Sequence, residues 1–169
     1  MSVAKIIKVN PSTQQFTIDD KCTPSLNLTE HIFALNYQTT DSLYVQVTQT
    51  FLSWIFTGKN PNEIKINLEE LIRLPDFILS SAAVGKGTIY LAIHNQLHVI
   101  NYKTSLIQKT KDGFKEKLKY RILKVKNQIS KLWVLNDFNI IMIQYFDLNK
   151  LFICKVLDDG KELKVLNEV

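Results

Sequence analysis

A stretch of two apolar runs parted by a short polar turn returns three times and confines much of this chain to strands. The stretches run from Ser42 to Phe56, from Thr88 to Tyr102 and from Lys131 to Phe146. Each opens with an aliphatic residue followed by an aromatic: Leu43-Tyr44, Ile89-Tyr90 and Leu132-Trp133. A further aliphatic pair follows (Val45 and Val47, Leu91 and Ile93, Val134 and Leu135), then a short polar turn and a second apolar run. A two-residue period lines one face of a strand, and branched and aromatic side chains suit that extended backbone. Tyr44 and Tyr90 lie 46 positions apart, and Tyr90 and Trp133 lie 43 apart. A period of about 40 to 50 residues marks repeated multi-stranded units.

The spacing extends to the flanking runs. Candidate strands before each aromatic begin at Ile32, Phe77 and Tyr120, which are 12, 13 and 13 residues upstream of it. The chain therefore reads as one β domain over 1–169. An N-terminal hairpin and loop occupy 1–29, with KIIKV and QQFTID joined at Asn10-Pro11-Ser12-Thr13. Repeat one spans 30–74, and its end, Leu68-Glu69-Glu70-Leu71, has the makings of a helical turn. Repeat two spans 75–117, with SLIQKT (105–110) as its last strand. Repeat three spans 118–160 and opens on KYRILKV, leaving 161–169 as a further strand or a tail. Tyr44, Tyr90 and Trp133 are expected at equivalent places on equivalent strands.

The repeat resembles the β-propeller superfamily, in which four-stranded antiparallel blades pack around a central channel. The resemblance covers roughly Glu30 to Asp159 and is to divergent members. No Gly-His pair opens a blade, and Phe56-Thr57, Ile100-Asn101 and Tyr145-Phe146 stand where a Trp-Asp pair would fall. It implies an all-β fold of antiparallel four-stranded, blade-like repeats; a β-sandwich or barrel is the alternative. Rings typically close with four to eight blades. About three blades imply a longer protein, a partner that completes the ring, or a closed sandwich.

Composition bounds the function. At 46% hydrophobic and 22% charged residues, the 169-residue chain has globular values and mass for a sizeable core. No run of 18 apolar residues is present, so no membrane partner is expected. The opening MSVAKIIKVNPSTQQ lacks a signal peptide's long apolar core, and Cys22 and Cys154 are too few for a secreted disulfide scaffold. A cytoplasmic or nuclear setting is expected.

The formal charge of +5 is uneven. Nine lysines and Arg121 fall between Lys103 and Lys131 against Asp112 and Glu116, which gives that stretch +8 and the remainder −3. Its candidate patch comprises Lys109, Lys111, Lys115, Lys117, Lys119, Arg121, Lys124 and Lys126. In this stretch Leu118, Tyr120 and Ile122 alternate with Lys117, Lys119 and Arg121, so one strand face is apolar and the other cationic. Lysine blunts exposed strand edges, whereas bidentate phosphate recognition favours arginine. The patch supports either edge protection or a nucleic-acid contact.

No catalytic pattern stands out. Gly85-Lys86-Gly87-Thr88 has glycines but precedes a strand, so it reads as a turn and not a phosphate loop. His94 and His98 lie four apart on a hairpin with no cysteine or acid beside them, and His31 is remote. Ser80-Ser81 lacks a nucleophile elbow. The reading is a non-enzymatic scaffold without a cofactor, working with protein subunits of a larger complex. The alternative is a nucleic-acid-associated subunit. An open stack of three blades leaves a terminal sheet uncovered, and Ile141, Ile143, Phe152 and Ile153 are the expected interface.

Overall fold

The computed structural model describes residues 7–10, 12–18, 30–57, 62–103, 118–136, 139–158 and 160–169, except for the side chains of 7–9 and 16–18. Strands β1 (Ile7–Val9) and β2 (Phe16–Ile18) pair antiparallel, with Ile7 opposite Ile18, as the N-terminal hairpin requires. The Asn10 side chain accepts from the backbone N–H of Ser12 and closes the turn. Lys109, Lys111, Lys115, Lys117 and the SLIQKT segment lie outside the described residues.

Three four-stranded antiparallel sheets follow, and none closes into a barrel. The first contains β3 (Ile32–Gln38), β4 (Leu43–Thr48), β5 (Phe51–Phe56) and β6 (Asn62–Asn67) in chain order. The second contains β7 (Leu79–Gly85), β8 (Thr88–Ile93), β9 (Gln96–Asn101) and β10 (Lys119–Lys124). The third contains β11 (Ile129–Asn136), β12 (Ile140–Tyr145), β13 (Leu151–Leu157) and β14 (Glu162–Glu168). Each is a meander, its strands neighbouring in chain order without crossovers. The expected turn at 85–88 is present, with Gly87 at φ +74°. The one α-helix among the described residues, α1 (Leu68–Ile72), is the expected helical turn; Asn67 caps it by accepting from the Glu69 and Glu70 backbone N–H groups.

Sequence spacing slipped by one strand in the third repeat. KYRILK pairs with β9, Tyr120 opposite Ile100, and so ends the second sheet instead of opening the third. The boundary at 117/118 thus falls inside the second sheet. Trp133 stands on β11, a first strand, whereas Tyr44 and Tyr90 stand on second strands. Residues 161–169 supply β14 and complete the third sheet. The cause is the long connection 102–118 between β9 and β10, which offsets the fourth strand until it sits where a new unit was expected. An aliphatic-aromatic pair fits any strand buried on both faces, so it could not signal the error.

First strands lie against one another, β3 beside β7 and β7 beside β11. The core falls into two layers. Between the first two sheets pack Leu43, Val45, Leu52, Trp54, Ile89 and Leu91. Between the second and third pack Tyr90, Leu97, Val99, Leu132, Ile141 and Ile143. The middle strand β8 serves both layers because consecutive side chains point to opposite faces, and all six of its residues are buried.

Polar ties join the sheets, from the β4–β5 turn to β7 and from β7 to β11. Gln49 donates to the Phe77 carbonyl at 2.8 Å and accepts from the Leu79 N–H at 3.0 Å. Ser80 donates to the Ile129 carbonyl at 2.7 Å, and Ser81 accepts from the Leu132 N–H at 3.0 Å. The serine pair is therefore an inter-sheet clamp. Such buried groups must be paired or they destabilise the layer.

Candidate interaction face and the groove at the first strands

Register decides what each face of the third sheet offers. Leu132 stands opposite Ile143, which stands opposite Phe152; Val134 stands opposite Ile141, which stands opposite Cys154. This row faces the second sheet. Trp133, Met142 and Ile153 form the neighbouring row, and they point the other way. With Ile140, Leu151 and Leu157 they make an apolar strip of half-buried side chains on the outer face.

The expected interface therefore divides. Ile141 and Ile143 are fully buried against the second sheet and cannot meet a partner without opening the core. Phe152 packs partly on the same core, edge-on to Tyr145. Only Ile153 lies on the outer face. Phe152 and Ile153 are adjacent in sequence, so strand alternation forbids them a common face. Trp133, Ile140 and Met142 take the vacated places. Alternation alone would have grouped Trp133 with the outer row had the strand pairing been known.

A second feature opens where the three first strands end. Asn36–Gln38, Val84–Lys86 and Val134–Asn136, with the 3-10 turn Thr39–Asp41, surround a groove of about 400 Å3. Its wall is pinned: Gln38 donates to the Gly85 carbonyl at 3.2 Å and to the Tyr102 hydroxyl at 2.6 Å. Burial above all, with the Asp41 carboxylate adding to it, pushes the Tyr102 phenol up to about 12. Gly85 is close to Val134, whose Cγ1 would lie 3.3 Å from any added Cβ. The groove presents amides, hydroxyls, Asp41 and Lys86, which suit hydrogen bonding. No group of three His, Cys, Asp or Glu among the described residues could hold a metal.

The described part of the basic stretch follows a strand edge. Lys119, Arg121, Lys124 and Lys126 are exposed, and β10 is the outermost strand of its sheet. Leu118 is buried and Tyr120 packs on the first core layer, while Ile122 on the same side remains 46% exposed. Arg121 faces the third sheet, where its Cβ and that of Val99 crowd Gly160. Cations on an edge strand oppose pairing with another chain's edge.

The histidines separate as the hairpin reading requires. His94 occupies the β8–β9 turn at φ 52°. His98 is buried on β9, contacting the Tyr120 hydroxyl through Nδ1 and the Gln96 Oε1 through Nε2 at 3.0 Å. An amide oxygen only accepts, so Nε2 carries the proton and Tyr120 donates to Nδ1. Burial lowers the His98 pKa to about 4 and raises that of Tyr120 to about 12. The imidazole is a neutral structural link. Cys154 is a free thiol, and burial raises its pKa to about 11.

No protein-family model matches the chain, and no curated protein does. Among solved structures, one described as the extracellular domain of a hybrid two-component system of B. thetaiotaomicron aligns at a TM-score of 0.44 and 15% identity. The alignment covers 82% of this chain and 16% of that one.

Proposed function

We propose that the chain is a non-enzymatic interaction scaffold, an open, propeller-like run of three blades whose last sheet receives another protein. The observation carrying this reading is the outer face of the third sheet. Trp133, Ile140, Met142, Leu151, Ile153 and Leu157 lie there half-buried, beyond both core layers. At about 25 cal/mol per Å2, covering such a strip contributes several kcal/mol to association. Aromatic and methionine side chains are also the types that anchor protein interfaces. A blade-like face of this kind suits another apolar sheet, stacked as the sheets within the chain already stack.

The nucleic-acid reading gains less support. The exposed cations of β10 are explained by edge protection, and lysines predominate over arginines in the surrounding stretch. The intracellular complex expected from the sequence remains part of this proposal.

The test is site-specific photo-crosslinking in the cell of origin, with the probe at Ile153 and a control probe at Lys65 on the first sheet. A discrete protein adduct is expected from Ile153 and not from Lys65. Met142→Asp in the same chain should remove it. Equal adducts from both positions, or none from Ile153, would overturn the assignment of this face.

A further inference from the structure

The outer face of the third sheet carries an unbalanced set of charges around its apolar strip. Lys155 on β13 stands directly opposite Lys164 on β14, and Ile140 flanks the pair on β12. Residues directly opposite in an antiparallel ladder have Cβ atoms about 5 Å apart, and like charges there repel. Lys131 lies at the other end of the strip, its ammonium 5.3 Å from the centre of the Trp133 ring. All three lysines are exposed. Against them, among the described residues on this face's strands, stands one acid, Glu162, opposite Leu157. The nearby Glu168 carboxylate is already paired with Lys150. Among the described residues no carboxylate pairs with Lys131, Lys155 or Lys164.

We propose that the partner seated on this face is an acidic protein surface, an apolar centre rimmed by carboxylates that meet Lys131, Lys155 and Lys164. This inference rests on the reading of the face as the docking surface. Opposed lysines cost the free sheet a repulsion that a carboxylate between them would turn into attraction. Complementary rim charges speed encounter and select the partner, while the apolar strip supplies the affinity. A nucleic acid fits less well, because the strip offers one aromatic ring for stacking and its centre would leave a phosphate backbone unpaired.

Tryptophan fluorescence reads the face directly. Trp54 is fully buried in the first core layer, so its emission is a constant background, while Trp133 lies on the strip. Three probes would be titrated: a short peptide with Leu-Phe-Ile flanked by Asp and Glu, the same peptide flanked by Lys, and a short oligothymidine. The acidic peptide is expected to shift the Trp133 emission to the blue, saturably and more weakly as salt rises. The K155E/K164E double variant should weaken it by about tenfold and favour the Lys-flanked peptide. Equal binding of both peptides, abolished by Met142→Asp, would overturn the acidic partner yet keep the docking face. Tight oligothymidine binding that outcompetes the acidic peptide would overturn the inference in favour of a nucleic acid. Absence of any acidic-peptide response in the folded wild-type chain would also overturn it, whatever the crosslinking result.

Discussion

The first and third sheets are built alike yet end the stack differently. On the outer face of the first, Tyr44, Gln46, Ser53 and Ile55 are each 6% exposed or less. On the outer face of the third, Trp133, Ile140, Met142 and Ile153 remain half-buried. Composition does not account for this, because the covered face holds a glutamine and a serine while the open face holds the larger apolar groups. A sheet of this type has two faces to bury. In the first sheet the centre of the outer face, on β4 and β5, is closed, while Leu35, Tyr37, Glu63 and Lys65 on the flanking strands remain exposed. The third sheet's outer face keeps its central side chains half-open.

Charge inserted on each face gives the widest separation. Ile55→Asp places a carboxylate where no water reaches and should cost about 4 kcal/mol in urea denaturation. Met142→Asp adds the same group to a partly solvated face and should cost about 1 kcal/mol. Equal losses would mean that the third sheet's outer face is closed too, and the comparison would collapse.

Acid should act on one interface and spare the other. His98 belongs to the second sheet's side of the first core layer: it stands opposite Leu91, a member of that layer. Its folded-state pKa, lowered to about 4 from 6.5, means that the unfolded chain takes up the proton first. The associated stability is therefore complete above pH 6.5 and is lost as pH falls toward 4. At 1.36 kcal/mol per pKa unit the loss approaches about 3 kcal/mol. Denaturation at pH 7 and pH 4.5 checks it. His98→Phe should lower stability at both values but flatten the difference, and an unchanged difference would remove His98 as its source.

How far the sequence revealed this arrangement differs from element to element. The spacing of apolar runs and polar turns located the strands of the first sheet and most of the second, because β4, β5 and β8 are buried on both faces and read as near-continuous apolar stretches. It also identified the turn at Gly87 and the helical turn at Leu68–Ile72. Alternation is silent on which strand neighbours which. The connection 102–118 then moved the frame by one strand, and alternation is equally silent on which face of the third sheet meets the second. For that reason Ile141 and Ile143 looked like surface and prove to be core, while Ile153 alone kept its place. The clamps at Gln38, Gln49, Ser80 and Ser81 left no local trace. Their partners lie 28 to 64 positions away, and only folding brings them together.

The seam between the second and third sheets can be loosened at one atom. Gly160 adopts φ +97°, and a Cβ there would lie 2.9 Å from Val99 Cβ and 3.2 Å from Arg121 Cβ. Both neighbours are strand residues at the root of their side chains, so neither can swing aside. Gly160→Ala combines backbone strain with this overlap and should cost about 2 kcal/mol. Hydrogen exchange should then rise in β12–β14 and stay unchanged in β4 and β5. Uniform loss of protection through all three sheets would show that the stack melts as one unit.

The smallest expected effect is also the most specific to the open face. Lys155 and Lys164 oppose each other across β13 and β14 with no acid between them. Lys164→Glu replaces a repulsive cross-strand pair with an attractive one and should stabilise the isolated chain by about 0.5 kcal/mol. The gain should shrink as salt screens the pair, since both groups are exposed. The same substitution removes one cation that the proposed acidic partner would use, so acidic-peptide binding should weaken as stability rises. Glu63→Lys on the outer face of the first sheet has no partner to lose and should leave binding unaltered. Denaturation in low and high salt, paired with the fluorescence titration, measures both changes on one sample. A Lys164→Glu chain that gains stability and binds the acidic peptide unchanged would detach the lysine pair from recognition.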